Sequence, residues 1–328
     1  MENIIKNEAL YNMSSDNGEV DYYSLPPQIS DELIIETDNL TKRFMGGKVA
    51  ADHVSMHVRK GEIYGFIGRN GAGKTTTMKV ILGLLLPTEG SFKLFGSTNL
   101  EEGRKRTGSL IEAPGLYKNC SAYENMKRFA ILTGSSDKEI KDLLDLVGLG
   151  NVGKRKAGKF SLGMKQRLGI AISLLGNPEL LILDEPINGL DPAGIKELRD
   201  CFIKLNRERG VTILISSHLL GELDKIATTY GIINNGKLVE EISAEELKKR
   251  CSKNLNITVD DVSKALKVLD EARIEGRREI HDNSIVLFGD IDKASEINEI
   301  LVKSGVKVSQ LGTNTQDMEQ YFIERIGK

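Results

Sequence analysis

The chain has 328 residues, which is long enough for two domains, and its 40% hydrophobic and 28% charged residues are ordinary for a globular protein. Its 45 Lys and Arg against 47 Asp and Glu give a formal net charge of −2, so no global basic field attracts nucleic acid, and we expect no nucleic-acid partner. The three cysteines are odd in number, widely spaced and free of any Cys-x-x-Cys pair, which argues against a disulfide framework and against a zinc site.

Residues 1–30 differ in composition from the rest of the chain. They carry five acidic residues, one Lys and a Pro pair at positions 26 and 27, and we expect them to form a poorly ordered acidic extension. This segment lacks the basic start and apolar core of a secretory signal. The longest apolar runs, VILGLLL at 80–86 and LLIL at 180–183, are far shorter than the ~20 residues of a membrane-spanning helix. These patterns predict a cytoplasmic protein that meets a membrane through a partner or a surface.

Strand and helix patterns alternate from residue 31 to residue 246. After the β-type runs LIIET and VSMHV, the segment EIYGFIG has strand spacing and is followed by a Gly-rich turn and by KTTTMKVILGLL, which has helical spacing. The later segments alternate between strand and helix in the order LLILDEP, AGIKELRDCFIKLNRERG, VTILISSH, LLGELDKIATTY and GIINNGKLVEE. This order predicts an α/β domain with a mostly parallel sheet covered on both faces.

Residues 247–328 form a second region with a different order of strand and helix patterns. They contain, in order, NLNITV, DDVSKALKVLDEA, EIHDNSIVLFG, DKASEINEILVKSG, VKVSQLG and TQDMEQYFIERIG. Strand and helix patterns alternate three times, which predicts a second, small α/β domain. We expect a dimerisation or spacer domain here, with a ligand-binding regulatory module as the alternative.

A phosphate-binding loop is the first motif that carries chemistry. GRNGAGKT at 68–75 satisfies G-x-x-x-x-G-K-[ST] and lies between a predicted strand and a predicted helix, as this motif requires. Glycines let backbone N–H groups turn toward a phosphate, and the helix N-terminus adds partial positive charge. We expect Lys74 to reach the β and γ phosphates, Thr75 to bind Mg²⁺ and Thr76 to donate toward the α phosphate. The predicted nucleotide-binding residues of the loop are Gly68, Arg69, Asn70, Gly71, Ala72, Gly73, Lys74, Thr75 and Thr76.

Two acids end the apolar strand LLILDEP. The carboxyl ends of parallel strands are where α/β sheets place their chemistry. We therefore expect Asp184 to hold the metal, directly or through water, and Glu185 to be the general base that polarises the attacking water. An ordinary strand end has the same pattern, but the phosphate loop earlier in the chain favours the catalytic interpretation.

Between these two motifs, FSLGMKQRLGIA at 160–171 resembles the signature segment of ATP-binding cassette (ABC) proteins, whose usual form is Leu-Ser-Gly-Gly-Gln. Ser161 and Gly163 match that form, whereas Leu162 and Met164 stand where the family has Gly and Gln. Ser161 and Gly163 begin a predicted helix, so their hydroxyl and N–H groups form a second anion site for a γ phosphate.

The other cassette motifs follow in the family's order. NGLD at 188–191 resembles the D-loop, with Asp191 at its end, and SSH at 216–218 resembles the switch loop, with His218. Phe44 in LTKRF resembles the aromatic residue that stacks on adenine. The resemblance covers roughly residues 33–245.

The resemblance implies a P-loop ATPase cassette with an antiparallel β-subdomain and a helical subdomain. ATP and Mg²⁺ are the implied ligands. The family's cassettes act as head-to-tail pairs with two ATP molecules at the interface, which implies a second cassette, most simply a homodimer. They also bind membrane permease subunits, which implies a peripheral position on the inner face of the cell membrane.

Glu112 in GSLIEAPGLY narrows the family further. It occupies the position where the family usually has a Gln that touches Mg²⁺ and the attacking water, and we expect Glu112 to do the same. With Glu in place of this Gln, the chain resembles the subfamily that exports, or confers immunity to, lantibiotics and bacitracin-like peptides. Members of that subfamily also tend to have a degenerate signature and a C-terminal appendage. The alternative is that Glu112 is a solvated loop residue before a Pro-Gly turn.

Two other functions compete with an exporter ATPase. One is an importer ATPase with a regulatory C-terminal domain. The other is a non-transport cassette ATPase that acts on DNA or ribosomes; however, only 86 residues separate Lys74 from Ser161, which leaves no room for a long coiled coil, and the chain has a single cassette. The identity of the transported molecule is not readable from these motifs.

Overall fold

The computed structural model describes residues 25–218, 220–251, 254–288, 293–314 and 318–327. The chain divides into two compact units, Met1–Ala244 and Glu245–Lys328, and this division lies two residues before the boundary predicted from the sequence. Residues 1–24 of the predicted acidic extension lie outside the described residues, and residues 25–30 form neither helix nor strand. In the parts of the chain that the structure describes, no helix is long and apolar enough to span a membrane.

A six-stranded sheet forms the centre of the first unit. With strands numbered in chain order, its spatial order is β10 (Lys237–Ser243), β9 (Thr229–Asn234), β4 (Ile63–Ile67), β8 (Thr212–Ser217), β7 (Leu180–Asp184) and β6 (Thr107–Leu110). Neighbouring strands are parallel except for β10, which pairs antiparallel with β9. Every residue of β4, β7 and β8 is buried, as expected for parallel strands with both faces covered. The predicted mostly parallel sheet is confirmed.

A smaller antiparallel sheet completes the strands of the first unit. Its members are β1 (Leu33–Arg43), β2 (Val49–Val54), β3 (His57–Arg59) and β5 (Glu89–Leu94). The long strand β1 pairs with each of the other three. This sheet is the antiparallel β-subdomain that the cassette resemblance implies.

Seven helices of the first unit are described, and an eighth begins at its last residue. They are α1 (Lys74–Ile81), α2 (Leu100–Lys105), α3 (Ala122–Thr133), α4 (Asp137–Leu146), α5 (Leu162–Ser173), α6 (Pro192–Arg209), α7 (Leu220–Leu223) and α8 (Ala244–Arg250). Ser121 caps the N-terminus of α3 with a full capping box, and Ser136 caps the N-terminus of α4; these two helices form part of the helical subdomain that the cassette resemblance implies. The helix predicted over LLGELDKIATTY is wrong after Leu223, because β9 begins at Thr229 and its neighbour Thr228 donates its backbone N–H to the carbonyl of Ile63.

The C-terminal unit has one more strand than the sequence predicts. Its elements are β11 (Asn254–Val259), α9 (Val262–Glu271), β12 (Arg277–His281), β13 (Ser284–Phe288), α10 (Ala294–Lys303), β14 (Val308–Asn314) and α11 (Met318–Gly327). The single strand predicted over EIHDNSIVLFG is wrong: the chain turns at Asp282, where φ is +37°, and makes a hairpin. The sheet order is β12-β13-β11-β14 with antiparallel pairs throughout, which is the ferredoxin-like β-α-β-β-α-β arrangement. This unit has its own apolar core, which includes Leu255, Ile257, Leu269, Ile285, Leu287, Ile297 and Leu301.

Candidate active site

The phosphate loop joins the buried strand β4 to the N-terminus of α1. Gly73, just before α1, has φ of +114°, and a Cβ there would lie 2.3 Å from the carbonyl oxygen of Ala50. A Cβ at Gly68 would lie 2.4 Å from the carbonyl oxygen of Ile233. At Gly71, by contrast, φ is +82° and a Cβ would meet no atom within 4 Å. Gly68 and Gly73 therefore let the loop pack closely against neighbouring backbone carbonyls, whereas Gly71 faces open space.

Lys74 is held across the loop that precedes it. Its Nζ lies 2.6 Å from the carbonyl oxygen of Gly68 and 3.3 Å from that of Arg69. The same Nζ is 3.3 Å from Oε1 of Glu185, and the Lys74 side chain is only 5% exposed. A buried ammonium with fixed carbonyl partners is already oriented for a phosphate.

The loop borders a cavity of about 210 Å³. Its lining contains most of the predicted nucleotide-binding residues, and the full set is Phe44, Lys48, Ala50, Asn70, Gly71, Ala72, Gly73, Lys74, Thr75, Thr76 and Glu185. Phe44 is 40% exposed and sits at this cavity, so its ring is available for the predicted stacking on adenine. The structure thus brings together the predicted aromatic residue, the phosphate loop and the predicted general base.

Asp184 is fixed by two hydroxyl groups at the end of β7. Thr75 Oγ1 donates to Oδ2 of Asp184 over 2.8 Å, and Ser216 Oγ donates to Oδ1 over 2.6 Å. Ser216 lies on β8 directly beside Asp184 in the strand register and is fully buried. Its Oγ also accepts the backbone N–H of Glu185 over 2.9 Å. Ser216 therefore orients both acids, a role that the sequence analysis missed although the residue stands in the SSH segment.

Glu185, the predicted general base, contacts the predicted switch histidine. His218 Nδ1 is 2.7 Å from Glu185 Oε2, while Lys74 approaches the other carboxylate oxygen. The backbone of Glu185 has φ of +49°, a left-handed conformation that is uncommon for a residue with a Cβ. Strained residues of this kind cluster at functional sites, because the surroundings hold a side chain in a required direction.

The oxygen atoms near Thr75 fit a magnesium ion. Mg²⁺ prefers oxygen ligands and is usually held by one or two protein groups together with substrate phosphates. Thr75 and Asp184 supply a hydroxyl and a carboxylate 2.8 Å apart beside the phosphate loop. Within the described residues, no group of three or more His, Cys, Asp and Glu side chains could hold a metal ion.

The predicted signature and D-loop contact each other. Ser161 caps α5, since its hydroxyl accepts the backbone N–H of Met164 over 3.2 Å. Leu162 is 51% exposed, and its Cδ2 lies 2.8 Å from the place where Gly189 would carry a Cβ. Asp191 likewise caps α6 by accepting from Gly194 over 3.2 Å. The side chain of Leu162, which stands where the family has Gly, therefore packs on the D-loop.

Glu112 lies on the surface, in an ion pair. Its Oε1 is 2.6 Å from Lys79 Nζ, its side chain is 65% exposed, and its φ is +61°. Glu112 is not among the residues that line the phosphate cavity. Two residues later, Pro114 packs on α5: a Cβ at Gly169 would lie 2.7 Å from Pro114 Cβ. The predicted contact of Glu112 with Mg²⁺ stays a prediction.

Replacing Gly73 by Ala is expected to destabilise the fold more than the same change at Gly71. Both positions impose the cost of positive φ, about 1–2 kcal/mol, but only Gly73 adds a clash with the carbonyl of Ala50. We expect the Gly73→Ala loss to exceed the Gly71→Ala loss by about 1–3 kcal/mol. Urea unfolding without nucleotide measures both values, and equal losses would contradict the proposed role of the close contact.

Known proteins resemble this chain along most of its length. A family model described as ABC transporter matches residues 51–188. The chain is 44% identical over 299 residues to the bacitracin transport ATP-binding protein BcrA of Bacillus licheniformis, and the alignment covers 90% of this chain and 97% of that protein. This chain belongs to the ABC transporter ATP-binding family. The predicted family is therefore confirmed.

Other relatives of this ABC ATPase agree with the assignment. The lantibiotic transport ATP-binding protein SrtF of Streptococcus pyogenes is 49% identical over 208 residues, which is 63% of this chain and 90% of that protein. A solved structure of an ATP-binding subunit of an ABC transporter superposes with a TM-score of 0.59 at 29% identity, over 66% of this chain and 92% of the other. The ABC ATPase fold and the activity of an ATP-binding, ATP-hydrolysing transporter subunit follow for this chain.

Proposed function

We propose that this ABC ATPase drives the export of, or immunity to, a peptide antibiotic of the bacitracin or lantibiotic type through separate membrane permease subunits. The observation that carries the proposal is the extent of the likeness to BcrA. Its 299 aligned residues exceed the 244 residues of the first unit, so the likeness reaches into the C-terminal unit. A cassette alone would account for a shorter alignment, such as the 208 residues aligned with SrtF. The shared C-terminal unit favours the bacitracin branch.

The permease is proposed to dock on the helical subdomain at the cytoplasmic face of the membrane. Tyr117 and Leu132 are large apolar side chains that are 51% and 84% exposed. Arg128 on α3 stacks on the ring of Tyr117 at 4.9 Å, and Leu132 lies one turn further along the same face of α3 as Arg128. Apolar groups gathered on one exposed face are typical of a protein contact, which supports this choice.

In the proposed reaction, Lys74 and the N–H groups of the loop hold the phosphates of ATP. Glu185 accepts a proton from the attacking water, and His218 holds its carboxylate in place. Thr75 and Asp184 are the proposed ligands of Mg²⁺, which when bound neutralises phosphate charge.

A second copy of the chain is proposed to complete the site. The signature residues Ser161, Leu162, Gly163 and Met164 are absent from the lining of the phosphate cavity of their own chain, as far as the structure describes it. Ser161 caps a helix N-terminus, which favours an anion. A head-to-tail homodimer would place this N-terminus opposite the phosphate loop of the partner.

Glu112 is proposed to link Mg²⁺ occupancy to the permease. It begins the loop that leads to Tyr117 on the proposed docking face. An ionised carboxylate offers only acceptors, whereas the Gln usual in the family also donates. Beside the γ phosphate, Glu112 would therefore depend on the metal more strongly than Gln does.

Antibiotic susceptibility tests the proposed function. Expression of the ATPase together with the permease subunits that it assembles with is expected to raise the minimal inhibitory concentration of bacitracin or of a lantibiotic in a sensitive bacterial host. The Lys74→Ala variant, expressed at the same level, is expected to give no protection. Unchanged susceptibility to every peptide antibiotic tested, in cells where the ATPase and permease assemble at the membrane, would exclude the proposal.

A further inference from the structure

Glu112 forms an ion pair with Lys79, a residue that belongs to none of the cassette motifs described above. The paired atoms are 2.6 Å apart, and the side chains of Lys79 and Glu112 are 29% and 65% exposed. We propose that Lys79 is a positioning residue for the ATPase reaction. By binding the Glu112 carboxylate, Lys79 sets how readily that carboxylate reaches a Mg²⁺ ion held by Thr75 and Asp184. The inference rests on the role proposed above for Glu112.

Helix geometry places Lys79 next to the proposed metal ligands. Thr75 and Lys79 are four residues apart on α1, so they lie on the same face of the helix and about 6 Å apart along its axis. Thr75 is hydrogen-bonded to Asp184. The backbone of Lys79, whose ammonium binds Glu112, therefore lies roughly one helical turn from that of Thr75, whose hydroxyl fits Mg²⁺.

The loop that carries Glu112 is constrained on its far side. Pro114 lies against Gly169 of α5 so closely that a Cβ at position 169 would be 2.7 Å from it. Glu112 itself has a left-handed backbone, with φ of +61°, which fixes the direction of its side chain. With the backbone anchored two residues away, the carboxylate has a short reach. The Glu112 carboxylate therefore binds either the Lys79 ammonium or a cation near Thr75.

Competition of this kind predicts opposite effects for the two partners. Removing Lys79 releases Glu112, so the Mg²⁺ concentration that gives half-maximal nucleotide binding is expected to fall. Removing the Glu112 carboxylate is expected to raise it. The pair is largely exposed, and the free energies typical of such pairs correspond to a change of about two- to fivefold in either direction.

Equilibrium binding of the fluorescent nucleotide TNP-ATP, titrated with MgCl₂, is the experiment. The full-length chain carries Glu185→Gln in every variant, so that turnover does not disturb the titration. We expect Lys79→Gln to lower the half-saturating Mg²⁺ concentration, Lys79→Arg to keep the wild-type value because it keeps the ion pair, and Glu112→Gln to raise it. As a matched control, Lys93→Gln removes a similarly exposed ion pair with Glu36, 2.9 Å long and on the β-subdomain, and is expected to change nothing.

A charge exchange separates positioning from structural support. The double variant Lys79→Glu/Glu112→Lys restores the ion pair but removes the carboxylate from position 112, and we expect it to behave like Glu112→Gln. Wild-type behaviour of this double variant would show that the pair only holds the loop, and would overturn the inference. An unchanged or raised value for Lys79→Gln beside a raised value for Glu112→Gln overturns the role of Lys79 alone. An unchanged value for Glu112→Gln overturns the role of Glu112 and the inference with it.

Discussion

Replacing Glu185 by Gln is expected to leave ATP binding intact and to lower the rate of hydrolysis by about 10²–10⁴-fold. The amide keeps the size of the side chain and still accepts a hydrogen bond from His218, 2.7 Å away in the wild type, but it does not take a proton from water. Since bound ATP is no longer hydrolysed at a useful rate, the proposed pair of cassettes should accumulate in its ATP-bound form. Phosphate release measures the rate, and size-exclusion chromatography with ATP measures the dimer.

Glu179→Gln is the control for this variant, because it changes a Glu just before the first residue of the same strand. Glu179 makes a two-point ion pair with Arg106, which holds the pKa of its carboxyl below the usual value. The residue is partly exposed, so the loss of stability should be small, and hydrolysis should stay near the wild-type rate. A Glu185→Gln protein that hydrolyses ATP as fast as Glu179→Gln would remove Glu185 from the role of general base.

Lys74→Ala is expected to abolish measurable hydrolysis and to weaken ATP binding by about 10–100-fold. The ammonium is already aligned by the carbonyls of Gly68 and Arg69, so the wild type gains charge-assisted bonds to phosphate at little ordering cost. Such bonds are worth about 1.5–3 kcal/mol each, which corresponds to the predicted loss of affinity. Calorimetric titration with ATP measures the affinity of both proteins.

A folding defect is the alternative explanation for an inactive Lys74→Ala protein. The buried carbonyl of Gly68 loses its 2.6 Å partner in this variant, so some loss of stability is expected. Thermal unfolding of the variant, compared with the exposed Lys93→Ala, separates this effect from loss of binding. A folded Lys74→Ala protein with wild-type affinity and hydrolysis would contradict the assignment of the phosphate loop.

Local patterns predicted segments that the structure brings together around one cavity, because each of these segments is contiguous in the chain. The phosphate loop and the acids at the end of β7 each carry their own signal, and the parallel sheet brings their carboxyl ends together. Ser216 was missed because a Ser within VTILISSH has the same pattern whether its hydroxyl is buried in the core or bonded to a neighbouring strand. Only the register of β8 against β7 places it beside Asp184.

Contacts distant in sequence were beyond the reach of pattern analysis. Lys79 and Glu112 are 33 positions apart on a helix and a loop, and no periodicity connects them. The hairpin of the C-terminal unit was missed for another reason. The turn consists of only two residues, Asp282 and Asn283, and contains neither Gly nor Pro, so the sequence gives no strong signal that separates β12 from β13. The whole antiparallel order of that unit depends on this turn.

The contact between Pro114 and Gly169 connects helix α5 with the loop that carries Glu112. Helix α5 starts at the signature, which we propose faces the ATP of the other chain, whereas Pro114 follows the residue proposed to sense the metal of its own chain. A Cβ at position 169 would lie 2.7 Å from Pro114, so α5 and the loop that carries Glu112 are closely packed at this point. A displacement of α5 is therefore expected to move the Glu112 loop as well, which would couple the ATP bound at the signature to the metal site of the same chain.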